Sequence, residues 1–156
     1  MIRFAQVSDM NRIDELLMQV NHVHAVGRPD MFIDGKRKYT MEQLQELIEH
    51  REKTPILVYV NEEGIIEGYM FGKFEQPVDS NILVPNKSLY IDDLCVDEKC
   101  RGKHVGKQLL EYTKKFAKEE GCYSVTLNVY NFNEPAMKFY LKNGLVPLKT
   151  GMETIL

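Results

Sequence analysis

Apolar residues recur along this chain with two periods, and the switches between them mark out its elements. Ile2–Gln6 reads as a short strand. Met10, Ile13, Leu16, Leu17, Val20 and Val23 follow at helical spacing, with Ser8 placed to cap the helix and Gly27 and Pro29 to end it. Arg28 to Lys38 keeps neither period and reads as a loop with charged ends; its run Lys36-Arg37-Lys38 is most simply solvated. Thr40 and Gln43 form a capping box for a second helix carrying Leu44 and Ile48, closed by Pro55. Ile56–Asn61 and Ile65–Glu75 are strands joined through Glu62-Glu63-Gly64, a hairpin signal. Gln76 to Asn86, with two prolines, is a loop or a broken strand, and Ser88–Val96 is the central strand. A third helix from about His104 to Glu120 sets Val105, Leu109, Tyr112 and Phe116 on one face and stops at Gly121. Ser124–Val129 is a strand rich in β-branched residues. Asn133 caps a fourth helix, Glu134–Asn143, which Gly144 ends. Val146–Leu156 supplies one or two closing strands around Gly151.

This order predicts an α/β domain with a mixed sheet, antiparallel early and parallel where a helix connects two strands. At 156 residues the chain suits a single domain, 1–156, with one sizeable core. Its composition, 44% hydrophobic and 28% charged, is that of a globular chain rather than a disordered one. A net charge of −3 argues against nucleic-acid binding by bulk electrostatics. No apolar run reaches membrane-spanning length, so no membrane partner is expected, and Met1-Ile-Arg-Phe-Ala lacks a signal-peptide pattern. The cysteines Cys95, Cys100 and Cys122 are odd in number and lack CxxC spacing. They read as reduced thiols of a cytoplasmic protein, with no metal site.

Against that acidic background one basic stretch stands out. The strand end Leu94-Cys95-Val96 runs into a glycine-bearing turn, Arg101 to Gly106, and an amphipathic helix follows at once. A helix start offers free backbone N–H groups and about half a unit of positive dipole charge, and here Arg101, Lys103 and Lys107 add three cations. The combination suits a pyrophosphate. It is not the loop of a nucleotide-hydrolysing P-loop protein, because Gly106-Lys107 is followed by Gln108 instead of Ser or Thr.

The turn resembles the Arg/Gln-x-x-Gly-x-Gly/Ala signature of the GNAT acetyltransferase superfamily, here Arg101-Gly-Lys-His-Val-Gly106. A second GNAT signature resembles Asn133-Glu-Pro-Ala136 followed by Phe139-Tyr140-Leu-Lys-Asn-Gly144-Leu145. The departure is His104, where the family usually has glycine, whose lack of a side chain lets the backbone approach phosphate closely. The resemblance implies a GNAT fold with about six to seven strands and four helices, and an acyltransferase that uses acetyl-coenzyme A as cosubstrate. It implies that backbone groups of Leu94, Cys95 and Val96 pair with the pantetheine arm. One such N–H would act as an oxyanion donor, whose loss typically costs about 3 kcal/mol. It also implies that Arg101, Gly102, Lys103, His104, Val105, Gly106 and Lys107 hold the pyrophosphate, that Asn133 contacts the cofactor or caps its helix, and that Tyr140 protonates the departing thiolate.

An amine must lose a proton before it attacks a thioester. Strict alternation along Tyr90-Ile-Asp-Asp-Leu-Cys-Val96 places residues 90, 92 and 94 on one face and 91, 93 and 95 on the other. Asp92, beside Tyr90, is then the candidate base or amine-docking carboxylate, with Asp93 turned away. The acidic pair resembles that of spermidine/spermine acetyltransferases, members of the same superfamily. A small cationic amine is the expected acceptor; a protein lysine or N-terminal amine is the enzymatic alternative, and a non-catalytic acyl-coenzyme A sensor the alternative of another class. Asp30, Phe32 and His24 fall where the family builds the acceptor side, and Glu153 could add to an acidic pocket. His22 and His24 do not share a helix face, which argues against a metal pair. Cys95 reads as a small buried residue. Terminal strands with an exposed edge would allow a homodimer.

Overall fold

The computed structural model describes residues 1–156. Five strands form one mixed sheet in chain order: β1 (Ile2–Phe4), β2 (Ile56–Val60), β3 (Ile66–Glu75), β4 (Ser88–Val96) and β5 (Ser124–Leu127). The first three pairings are antiparallel, and β4 pairs with β5 in parallel. Four α-helices accompany them: α1 (Met10–Gly27), α2 (Met41–Glu49), α3 (Val105–Glu119) and α4 (Glu134–Lys142). One face of the sheet packs on α1 and α2 through Ile13, Leu16, Leu44, Val58, Tyr69 and Phe71. The other packs on α3 through Leu57, Met70, Ile91, Leu109 and Leu110, with Phe139 and Tyr140 of α4 against its margin.

The strand number is a correction, five instead of six to seven. Val146–Leu156 forms no strand. Pro147 removes a backbone donor there. Its apolar side chains lie open, Val146 at 81% and Met152 at 94% exposure, so no sheet face holds them in register. The first helix also starts differently. A 3-10 turn, Val7–Asp9, precedes it, and Asp9, not Ser8, sits at its head. The Asp9 carboxylate accepts from the Gln6 N–H at 2.8 Å and from Arg3 at 2.6 and 3.0 Å, bonds a serine hydroxyl could not replace. The capping box of Thr40 and Gln43 forms as the sequence suggests.

Two features of the sheet position the site. Gly68 of β3 lies under α3, where a Cβ would stand 2.7 Å from the Cys95 carbonyl oxygen of the neighbouring strand and 3.1 and 3.2 Å from Leu109 and Val105 of α3, closer than a side chain there allows. The register between β3 and β4 slips beside Gly72: Phe71 pairs with Asp93 and Gly72 with Ile91. Asp92 is therefore the extra residue of a β-bulge.

Candidate active site

The bulge reverses the expected facing of the acidic pair. Before it, Ile91 belongs to the α3 side; after it, Leu94 and Val96 also pack on that side. Asp93 and Cys95 thus face α1 and α2, with Tyr69. Asp92 stands at the mouth, its side chain 41% exposed, whereas Asp93 is 10% exposed. The Tyr69 hydroxyl donates to Asp93 at 3.1 Å. Burial pushes the Asp93 carboxyl up to about 6, even though Lys38 and the Tyr69 hydrogen bond pull it down.

Around this carboxylate sit groups from its own strand and from three other parts of the chain. Tyr140, from α4, is raised above the ordinary phenol range, first by burial and then by the negative charge of Asp93. It is a protonated phenol at neutral pH. The Cys95 thiol is pushed up to about 12 by burial and by Asp93, which leaves it a packed thiol and no nucleophile. Its sulfur lies 3.7 Å from the Leu16 carbonyl. Lys38 reaches in from the loop between α1 and α2, with Nζ 2.7 Å from Asp92 and 3.8 Å from Asp93. The cationic run is not simply solvated: Lys38 holds the acidic pair and Arg37 holds Asp14 at 3.1 Å. Tyr39 stacks on Phe71, and its hydroxyl lies 3.5 Å from Asp92.

Beside this cluster the sheet opens. The ladder between β4 and β5 ends at Ile91 and Leu127. The Asp97 N–H donates to Glu67, which continues the β3 side of the strand. Alternation then turns the backbone groups of Leu94 and Val96 toward the side that β5 has left. Downstream, none of the backbone N–H groups from Arg101 to Lys107 donates to another residue of the chain. Gly102 and His104 both take positive φ, 83° and 64°. Helix α3 therefore starts at Val105, with His104 in the left-handed region and its ring exposed, instead of beginning at a helical His104. Val105 is buried and anchors the turn. Gly106 allows α3 to approach, since a Cβ would meet Val96 at 3.3 Å and Phe139 at 3.4 Å. Lys107 pairs with Glu111 at 3.7 Å, leaving Arg101 and Lys103 as the exposed cations of the turn without such a partner.

A free strand edge leading to a row of unclaimed N–H donors, with a protonated phenol and a raised carboxylate alongside, is the arrangement expected for an acyl thioester carried on a pyrophosphate. The model of the acetyltransferase (GNAT) family matches residues 20–145. The chain belongs to this family. The BH1408 protein from Bacillus halodurans, solved as a mutant, superposes with a TM-score of 0.95 at 31% identity, covering 100% of this chain and 99% of that one. Among curated relatives, YwnH from Bacillus subtilis (strain 168) is 28% identical over 61% of this chain and 55% of its own length. Glucosamine 6-phosphate N-acetyltransferase from Arabidopsis thaliana is 37% identical over 38% of each chain. The chain spans little more than half, or less, of the length of these curated relatives.

In a GNAT protein this turn and edge are where coenzyme A would be held, and the residues present fit it by their unclaimed donors. Asn133 caps α4, its side-chain oxygen accepting from the Ala136 N–H at 3.3 Å, so its amide already has a structural task. Tyr90 accepts from Asn128 at 3.3 Å, on the wall next to Asp92. Asp30 is bound to Arg28 at 2.7 and 2.8 Å, and Glu153 also pairs with Arg28. These two carboxylates are tied to one guanidinium and share no partner with the Asp92–Asp93 pair. Phe32 packs with His24, at 5.0 Å between ring centroids, and with Tyr130 at 5.5 Å. This aromatic group joins the end of α1 to the segment after β5. His22 pairs with Asp34 at 3.1 Å, and no group of three or more His, Cys, Asp or Glu is arranged to hold a metal ion. No helix is long and apolar enough to cross a membrane.

Sequence reasoning passed over Asp93 and Lys38. Gly72 carried a signal for the first, since an isolated glycine within a strand marks a bulge or a close approach. Nothing local marks Lys38, whose partner lies 54 residues away.

Proposed function

We propose that the protein is an acetyl-coenzyme A-dependent N-acetyltransferase that acts on a small primary amine by direct transfer in a ternary complex. The open edge of β4 leading to a turn of unclaimed N–H groups carries this reading, and it is supported by a carboxylate that burial raises toward neutral pH, Asp93, and a phenol kept protonated, Tyr140. Asp93 accepts the acceptor's proton and is competent above about pH 6. Tyr140 supplies a proton to the departing sulfur. Backbone groups of Leu94 and Val96 orient the pantetheine arm, and amides of Arg101 to Lys107, helped by Arg101 and Lys103, hold the phosphates. The cosubstrate, when bound, supplies the activated acetyl group. Asp92, with Lys38, forms the mouth through which the amine enters, and its charge favours a cationic acceptor. A passive acyl-coenzyme A sensor would have no use for a raised carboxylate or for a buried, protonated phenol.

Tyr140→Phe tests the assignment. Its turnover with an amine acceptor should fall about a hundredfold, with acetyl-coenzyme A affinity within about twofold of the parent. Equal loss of turnover and affinity would remove Tyr140 from the acid role.

A further inference from the structure

Lys38 lines the mouth with Asp92, and it also occupies the charges that an external amine would need. Its Nζ rests on the two carboxylates to which a cationic acceptor would come, 2.7 Å from Asp92 and 3.8 Å from Asp93. The neighbouring cations go elsewhere: Arg37 turns to Asp14, and Lys36 is exposed. Lys38 belongs to a segment between α1 and α2 without regular structure, and residues 37–43 line a shallow hollow open to solvent. The groups facing it come from every element packed around it. They are Asp92, Asp93 and Tyr90 on β4, Tyr39 on its own loop, His24 on α1, and Tyr69 on β3 and Tyr140 on α4, which act through Asp93.

We propose that Lys38 is a self-acetylation site, an acceptor amine supplied by the chain itself and seated on the Asp92–Asp93 pair. The inference rests on the acetyltransferase reading above. The Lys38 ammonium loses one proton through Asp93 to solvent. The neutral nitrogen forms a bond to the acetyl carbonyl carbon as the carbon–sulfur bond breaks. The proton then lost from nitrogen replaces the one that Tyr140 gives to the sulfur. The products are an Nε-acetyl-lysine and the coenzyme A thiol. The amide is neutral and leaves both carboxylates free to receive an external cation. Asp93 and Asp92 hold Lys38 in its charged form, outweighing the effect of burial, so the step is slow at neutral pH and faster as pH rises.

The test incubates the full chain with acetyl-coenzyme A and no added amine, then reads intact mass and peptide maps. The expected result is one acetyl group, on Lys38. Its rate should be independent of protein concentration and at least about tenfold lower in Tyr140→Phe. Acetyl groups spread equally over Lys36, Lys38 and Lys53, at rates unchanged in Tyr140→Phe, would overturn the proposal as plain chemical acylation. An unmodified Lys38 in protein that releases coenzyme A with an added amine would overturn this inference alone. An unmodified Lys38 together with no release across a panel of polyamines, amino acids and peptides would overturn the acetyltransferase reading with it.

Discussion

His104 concentrates the backbone cost of the basic turn, the proposed phosphate site, in one residue. At φ 64° and ψ 11° it sits in the left-handed region, which an L side chain enters at about 1 kcal/mol. Its ring is exposed and caps nothing, so no contact offsets that strain. His104→Gly should raise stability by about 0.5–1 kcal/mol, the lower end allowing for the extra freedom of glycine in the unfolded chain. A thermal melt would read this as a midpoint shift of about 1–4 °C. A lower midpoint would mean that the histidine side chain makes a contact of its own. The substitution itself was visible in the sequence, because the rest of the turn resembles a known pattern. The backbone's keeping of the glycine conformation was not, since a residue's identity does not specify φ. Asp92 and Asp93 show a different limit. Alternation assigns faces only while every residue meets a partner, and a single bulge exchanged their places.

At the scale of elements, the site depends on where β4 ends and how its turn is anchored. Asp97, immediately after β4, is buried and accepts from the Lys99 N–H at 3.0 Å. Arg12 of α1 pairs with Asp97 and donates its Nε to the Ile66 carbonyl at 3.0 Å. One arginine thus ties α1, β3 and the base of the phosphate turn together. The Asp97 carboxyl is held below its ordinary range, first by the Lys99 N–H and further by Arg12. Its contribution is full above an unfolded value of about 3.8 and is lost as pH falls through the lower folded value. Arg12→Ala strands this carboxylate and should cost roughly 2–3 kcal/mol in urea unfolding at pH 7, less than a fully buried pair because Arg12 is partly in water. It should also weaken acetyl-coenzyme A binding by calorimetry, whereas unchanged binding would mean that the turn keeps its shape unaided. Most elements were legible in the sequence to within a few residues, since caps such as Thr40–Gln43 and stops such as Gly121 act locally. The closing segment was the exception: it reads as one or two strands and forms none. Val146, Leu148 and Ile155 carry a strand-like apolar content, but a strand also needs a neighbour, and that lies outside local pattern.

For the whole molecule, the candidate chemistry draws on parts far apart in sequence. Asp93 comes from β4, Tyr140 from α4, Lys38 from the first long loop and Tyr69 from β3. The basic turn was readable because its residues are contiguous; the acid–base cluster was not, because only the sheet brings it together. In a chain of net charge −3, the turn carries local positive charge and the mouth two carboxylates, so on the proposed reading a pyrophosphate and a cationic amine would be drawn to different sides of β4. On the proposed mechanism Asp93, and not Asp92, takes the acceptor's proton. The most direct measurement is coenzyme A release against pH for the parent, Asp93→Asn and Asp92→Asn with one small amine. In the parent, kcat should rise as pH increases through about 6, where Asp93 becomes ionised. Asp92→Asn should keep that rise, while Asp93→Asn should lose it and about a hundredfold in kcat. A rise near pH 6 that survives in Asp93→Asn and disappears in Asp92→Asn would contradict the assignment.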